Sequence, residues 1–558
     1  MIVAGHWLAT EAGHAVLEAG GNAVDAAVAA GIALGVVHAD QVQFSGVAPM
    51  LVYLAERDEV VSVAGLGPWP RAATLERFVR EHGGTIPLGL LRTVVPAAPD
   101  AWITALERWG TMSFGDVARA AIRYARDGFT VHPVMAEFVA RYEARYRAWP
   151  SSAAIFLPDG RPPREGDLLV QADLARSLQH MVDEESAAAV KHGRTAGLRA
   201  ARDAFYRGDL AKAMAAYHRE HGGWLTEDDL AAYETPVEHP RTIRFGGVEV
   251  FSCDAWCQGP VLLQMLALLD GVDLRALGHN SPAYVHVVTE AMKLCFADRE
   301  HYYGDPRVVD VPLDELLSSA YADRRRRMID RDRAWPEMPP PGATRVAPGA
   351  TVAGVRAADA PAVPADTSYV CTVDRWGNVV SATPSDVSFE GPVIPGLGFC
   401  PSSRGSQSFA VAGHRSCVAP GKRPRLTPNP ALALVRGRVA IPFGGPGGDL
   451  QPQGMLQVFL NHVVFGMSTQ EAVEAPRFVT HSHPNSFEPH ESFPGRLDVE
   501  AAIGAATGER LAALGHGVAW LSDLSTKVAG VCMIRADRER GMLTGGADPR
   551  RAARAMGW

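Results

Sequence analysis

The stretch Pro361-Ala362-Val363-Pro364-Ala365-Asp366 runs directly into Thr367-Ser368-Tyr369-Val370-Cys371-Thr372-Val373. The first half is proline- and alanine-rich and poor in strand formers; the second reads as a buried strand opened by a hydroxyl residue. The chain then turns at Asp374-Arg375-Trp376-Gly377-Asn378 and returns as Val379-Val380-Ser381-Ala382-Thr383. A hydroxyl at the first position of a core strand, behind a flexible leader, suits a chain that cuts itself there. Once freed, Thr367 would carry both a nucleophilic Oγ and an α-amine able to act as its base. The alternative is a threonine that merely begins a strand, and the surrounding sequence has to separate the two.

Outward from that strand the pattern alternates strand pairs with helices. Leu51-Val52-Tyr53-Leu54 and Val60-Val61-Ser62-Val63 bracket Glu56-Arg57-Asp58-Glu59 as a hairpin. Residues 9 to 37 read as two helices broken at Gly20-Gly21-Asn22, the second small-residue-rich and suited to close packing on a sheet. A helix is expected from about Ser113 to Asp127, ended by Gly128, and residues 170 to 235 read as mostly helical. Val248 to Ser252 is a strand that leads through Gly259-Pro260 into a helix over Val261–Leu269. Residues 335 to 366 have a linker's composition, low in large apolar groups. Beyond Val439–Phe443 and the turn Gly444-Gly445-Pro446-Gly447-Gly448-Asp449, a helix is expected at about 450 to 465; Ser468 with Glu471 makes a capping box for the next. The expected class is layered α/β, with antiparallel sheets stacked on each other and helices on both outer faces.

Net charge −8, with no long run of Lys or Arg, argues against a nucleic-acid binder. The basic cluster Arg324-Arg325-Arg326-Arg327 lies among aspartates and reads as a solvated helix face. No apolar stretch reaches membrane-spanning length, and Met1 to His6 shows no signal-peptide pattern. Seven cysteines without paired short spacings point to reduced thiols and a cytoplasmic protein; Cys253 and Cys257 read as core thiols rather than a zinc site. The group His481-Ser482-His483 with His490 lies in a Pro/Asn/Ser-rich stretch and reads as a solvated loop rather than a metal centre.

Several segments coincide with one family. They are Glu18-Ala19-Gly20-Gly21-Asn22-Ala23-Val24-Asp25-Ala26-Ala27-Val28, Asp366-Thr367-Ser368-Tyr369 with Val373 to Asn378, Gly421-Lys422-Arg423-Pro424, Gly444 to Asp449, Glu471 to Phe478, and Ala547-Asp548-Pro549-Arg550. In this order, across nearly the whole chain, they resemble the γ-glutamyltransferase superfamily. The resemblance implies an N-terminal-nucleophile hydrolase fold, an αββα sandwich. It implies self-cleavage at Asp366-Thr367 into a large subunit, 1–366, and a small one, 367–558, intertwined in one domain, with a dimer of such heterodimers as a further option. It makes Thr367 the nucleophile, Ser385 a second hydroxyl hydrogen-bonded to it, and Gly447 and Gly448 the oxyanion hole. Thr427 and Gln407 fall at substrate-binding positions, and no metal or other cofactor is required. A free α-amine, with a pKa of about 7.7–8.0, is partly neutral near pH 7 and can accept the hydroxyl proton. The glycine turn lacks the Lys-Ser/Thr ending of a phosphate loop.

The departures from the family concern the substrate. Where γ-glutamyl-transferring members grip the substrate α-carboxylate with an arginine, this chain has Leu66. The segment whose acid binds the substrate α-amino group aligns with Ser403-Arg404-Gly405-Ser406-Gln407-Ser408, which has no carboxylate and gains Arg404. Leu426 replaces the hydroxyl partner of Thr427, and Phe44-Ser45-Gly46-Val47-Ala48-Pro49 replaces a run of four glycines. A pocket that loses an amine partner and gains a cation favours an acyl group ending in a plain carboxylate, as in glutaryl or oxamate-type monoamides; alternatively Arg404 forms only a structural ion pair. Three functions stay open: an autoprocessing amide hydrolase on a small amide or peptide-like substrate; a true γ-glutamyl hydrolase or transferase on glutathione-type compounds, with Arg92 or Arg404 binding the carboxylate; and an unprocessed, non-catalytic binding or scaffold relative.

Overall fold

In a computed structural model, residues 1–352, 354–356 and 367–558 are described. Residues 357–366, including Asp366 of the expected cleavage bond, lie outside that set.

Two antiparallel sheets stack face to face. The first has seven strands in the order Arg554–Met556, Ile2–Ala4, Val370–Val373, Val379–Ala382, Met50–Leu54, Glu59–Val63, Val237–Glu238. The second has six: Met542–Gly546, Cys532–Asp537, Val439–Gly444, Ala431–Val435, Val248–Ser252, Arg241–Phe245. Both sheets mix strands from before and after Thr367, so neither side of that residue owns a sheet.

Period-two alternation divides the core into layers. Leu51, Tyr53, Cys371, Val373 and Val379 point between the sheets, where they meet Phe251, Leu432, Leu434 and Ile534. Met50, Val52, Leu54, Val370, Val380 and Ala382 point outward into the first helical layer. Because both faces are covered, these strands read as near-continuous apolar runs. Helices Gly259–Leu269, Pro282–Tyr302 and Gln451–Val463 cover the other sheet. The expected α/β class, an αββα sandwich of stacked antiparallel sheets, is the observed architecture.

Helix Ala23–Val37 is buried along its whole length. Its start is fixed twice. Asn22 and Asp25 form a reciprocal capping box. The helix is also tied to the hairpin that follows Thr367: Ala23 N donates to Asp374 Oδ2 at 3.0 Å and Thr372 Oγ1 to Ala23 O at 2.7 Å. Small residues let it approach its neighbours: a Cβ on Gly31 would lie 2.5 Å from Trp102 Cζ2. Gly31→Ala is therefore expected to destabilise by about 1–3 kcal/mol through overpacking, read as a lowered midpoint in thermal or denaturant unfolding. An unchanged midpoint would mean that Trp102 swings aside freely.

Four sequence expectations need correction. The helix expected at Val261 begins at Gly259, because Pro260 is well suited to a first turn. The Arg324–Arg327 run is only partly a solvated face: Arg325 is buried, donating to Leu294 O at 2.9 Å and lying 3.3 Å from Asp298, and Arg326 donates to Leu268 O and Ala267 O. The described start of the linker-like stretch, at Trp335 and Gly342, is fastened along helix Pro282–Tyr302 by polar contacts. Trp335 N donates to Glu290 Oε2 at 3.0 Å, Lys293 Nζ to Trp335 O at 2.8 Å and Gly342 N to Asp298 Oδ1 at 2.9 Å. The histidine loop is packed rather than solvated: His483 stacks on Phe296 at 3.9 Å and His490 on Phe409 at 3.8 Å, while His481 pairs with Asp498 at 3.4 Å. Cys253 and Cys257 are buried free thiols, and among the described residues no helix is long and apolar enough to cross a membrane.

Candidate active site

Thr367 does not open the strand as expected from the sequence: the strand begins at Val370, and Thr367, three residues before it, is fully buried in a single antiparallel bridge with Ser385. That bridge sets two hydroxyls against each other, Thr367 Oγ1 and Ser385 Oγ, at 2.8 Å. Gln451 Nε2 donates to Thr367 Oγ1 from the other side at 3.3 Å.

Gln451 opens helix Gln451–Val463 just after the glycine turn. Gly447 has φ 137° and Gly448 φ 55°, left-handed conformations that glycine adopts without a Cβ penalty. Gly447 O accepts from Leu450 N at 2.9 Å, which fixes the plane of the Gly447–Gly448 peptide. The N-terminus of a thirteen-residue helix thus stands beside Thr367, where backbone N–H groups and the helix field favour negative charge.

Ser385 is braced from behind. Val47 and Ser385 exchange two backbone hydrogen bonds, at 3.1 and 3.0 Å, and a Cβ on Gly46 would lie 2.2 Å from Ser385 O. The segment that replaces the expected glycine run therefore supports the second hydroxyl. Beyond it, Asp386 holds φ 144°, a conformation that L residues rarely adopt. Its carboxylate accepts from Ser402 Oγ (2.6 Å), Ser403 N (3.1 Å) and Ser403 Oγ (2.6 Å), with Arg404 Nε 3.8 Å away. Burial pushes the Asp386 carboxyl above the usual range, against the pull of Arg404 and the two serines. Arg404 is itself buried and donates through Nη2 to Ser385 Oγ.

Gln407 and Thr427 hold each other: Thr427 N donates to Gln407 Oε1 at 3.0 Å, and Gln407 Nε2 to Thr427 Oγ1 at 2.7 Å. Leu66 and Leu426 lie in the apolar layer between the sheets. Arg92 pairs with Glu390 at 3.0 Å and donates to Ile86 O and Pro87 O. Thr367, Ser385, Arg404, Gly447 and Gly448 are thus set around one point through Gln451 and Ser385, and Arg92 has a separate set of partners.

Sequence reasoning missed three features. Gln258 Nε2 donates to both Thr427 O (2.9 Å) and Gly448 O (2.8 Å), tying the two loops together. Its Oε1 accepts from Arg299 Nη1 at 2.9 Å, and Arg299 also pairs with Asp449 and Glu300, the latter shared with Arg425. Gln451 was missed as well, and so was Asp386. A signal existed for the two glutamines: each sits at the start of a helix that has a proline in its first turn and runs into the core, a place where a buried amide must have partners.

Among the described residues, His286, Glu290 and His516 are grouped at metal-like spacing. Several of their polar atoms have protein partners: His286 Nδ1 lies 2.8 Å from His516 Nε2, and Lys293 pairs with Glu290 at 2.7 Å.

An αββα sandwich with a buried threonine just ahead of a central strand and beside a helix N-terminus is the arrangement of an N-terminal-nucleophile hydrolase, and the protein is an enzyme of that type. Comparison narrows this. The Gamma-glutamyltranspeptidase family profile matches residues 9–558. The Acylase ACY 1 proenzyme of Pseudomonas sp. (strain SE83) is 33% identical over 98% of this chain and 91% of its own. The Glutathione hydrolase proenzyme of Bacillus subtilis (strain 168) is 30% identical over 100% and 91%. The crystal structure of cephalosporin acylase from Bacillus halodurans superposes with a TM-score of 0.86 at 28% identity, covering 100% of this chain and 95% of that one. The chain belongs to the γ-glutamyltranspeptidase family.

Proposed function

We propose that this chain is a self-processing N-terminal-threonine amide hydrolase that works through an acyl-enzyme on a small amide whose acyl part lacks the α-amino group of a γ-glutamyl compound. The observation that carries the chemistry is the placement of Thr367 Oγ1, 2.8 Å from Ser385 Oγ and within reach of Gln451, beside the glycine turn. In processing, Thr367 Oγ attacks the Asp366 carbonyl carbon, the C–N bond breaks to free the Thr367 α-amine as the ester forms, and water then cleaves the ester into the Asp366 carboxyl and the Thr367 hydroxyl. The products are a large subunit, 1–366, and a small one, 367–558, held together because both sheets contain strands of each.

In turnover the freed amine takes the Oγ proton as Oγ adds to the substrate carbonyl. The Gly447–Gly448 turn holds the developing oxyanion. Collapse expels the leaving amine, which takes up the proton, and water then cleaves the ester. No step calls for a metal or other cofactor.

For the acyl group, the absence of a carboxylate in Ser403–Ser408 and the presence of Leu66 support a substrate without the α-amino acid head of a γ-glutamyl compound. The acylase names of two relatives are consistent with this; the glutathione hydrolase relative supports the second reading, γ-glutamyl hydrolysis. The assembled centre speaks against a non-catalytic scaffold. The test is amine release by the purified, processed enzyme from glutaryl, oxamate-type and γ-glutamyl amides at matched concentrations. Faster hydrolysis of the first two is expected. Preference for the γ-glutamyl amide would overturn the substrate assignment and favour the second reading.

A further inference from the structure

The centre holds a cation hydrogen-bonded to Ser385, the hydroxyl that faces Thr367. We infer that Arg404 is a positioning residue that raises the reactivity of Thr367 through Ser385, and that it does not grip a substrate carboxylate. This rests on the reading of Thr367 as the nucleophile.

A guanidinium has only donors, so in the contact between Arg404 Nη2 and Ser385 Oγ the serine oxygen accepts. The Ser385 proton can then be directed at Thr367 Oγ1, 2.8 Å away. Gln451 Nε2 is a donor too and reaches the same oxygen at 3.3 Å. Thr367 Oγ1 thus faces two donors, one backed by a full positive charge in a fully buried site. As the Oγ–H bond breaks, negative charge grows on Oγ. The Arg404-to-Ser385-to-Thr367 chain strengthens at that moment and costs no rearrangement.

Arg404 is held for this task. Its Nε lies 3.8 Å from Asp386 Oδ2, and its guanidinium lies over the Phe487 ring, 5.5 Å from the centroid. Asp386, adjacent in sequence to Ser385, is fixed by Ser402 and Ser403 in a strained backbone conformation that the surroundings must enforce. One loop therefore sets the arginine, its counter-ion and the relaying serine in a fixed relation.

The two possible roles of Arg404 predict different kinetics. A residue that binds a substrate carboxylate changes KM; one that acts on the nucleophile changes kcat with KM held. The experiment compares wild type, Arg404→Lys, Ser385→Ala and the double variant, each checked for cleavage and thermal midpoint. Single variants are expected to cleave themselves more slowly and, once processed, to lose kcat on the order of 100-fold with KM nearly unchanged. The double variant should lose little more than Ser385→Ala alone, because Arg404 acts through that hydroxyl. Should Arg404→Lys fail to fold, Arg404→Gln, which keeps a donor without the charge, takes its place in the cycle.

A raised KM with normal kcat in the arginine variant, or losses that multiply in the double variant, would overturn the proposal. Either result would leave the nucleophile assignment standing. Failure of wild type itself to cleave at Thr367 would instead remove the reading on which the inference depends.

Discussion

Thr367→Ala is expected to give a single uncut 558-residue chain with no measurable amide hydrolysis. The same oxygen is assigned to both events, attack on the peptide bond before it and attack on substrate, so its removal stops both. Loss of a nucleophile that works as part of a unit reduces turnover on the order of 10⁶-fold. The fold should survive, because an alanine leaves the backbone bridge to Ser385 in place. Thr367→Ser keeps an Oγ and is expected to cleave, more slowly, since it lacks the β-methyl that limits side-chain rotation. Gel analysis and amine release on both variants check this; cleavage of the alanine variant at the same bond would exclude Thr367 as the attacking group.

The second large effect is structural. Glu300 is fully buried and accepts from Arg299 Nε at 3.0 Å, Arg299 Nη2 at 2.6 Å and Arg425 Nη2 at 2.9 Å. Burial alone would raise its carboxyl, and the guanidiniums of Arg425 and Arg299 overcome that, bringing it down to about 2. Glu300→Gln leaves two buried cations short of an anion, which is expected to cost about 3–5 kcal/mol. Turnover should fall as well, because Arg299 also steadies Asp449 and Gln258 beside the glycine turn.

The pH dependence has a definite sign. A carboxyl whose pKa is depressed on folding stabilises fully above its ordinary value of 4.5 and loses that contribution as pH falls toward about 2. The stability gap between wild type and Glu300→Gln should therefore be widest at neutral pH and narrow below pH 4.5. Denaturant melts of both proteins across that window measure it, and equal stability at neutral pH would contradict the role given to this network.

Much of the fold was legible because its signals are local. The hairpin around Asp374–Asn378, the helix break at Gly20-Gly21-Asn22, the capping box at Ser468 and the glycine turn before Gln451 each declare themselves within a few residues. Thr367 and Ser385 were legible through family resemblance, and the structure brings their hydroxyls together. What stayed hidden depends on contacts between residues far apart in the chain. Gln258 reaches Gly448 across 190 positions, and Arg325 turns inward to the Leu294 carbonyl. A polar residue's sequence neighbours cannot tell whether a distant carbonyl will meet it, which is why the histidine loop and the Arg324–Arg327 run were misjudged as solvated.

The most direct test of the central claim is the intact mass and N-terminal sequence of the purified wild-type protein in its active form. Two polypeptides, 1–366 and 367–558, the second beginning with Thr367, are the expected result. A fully active preparation that remains one uncut chain, or whose new N-terminus is any residue other than Thr367, would contradict it.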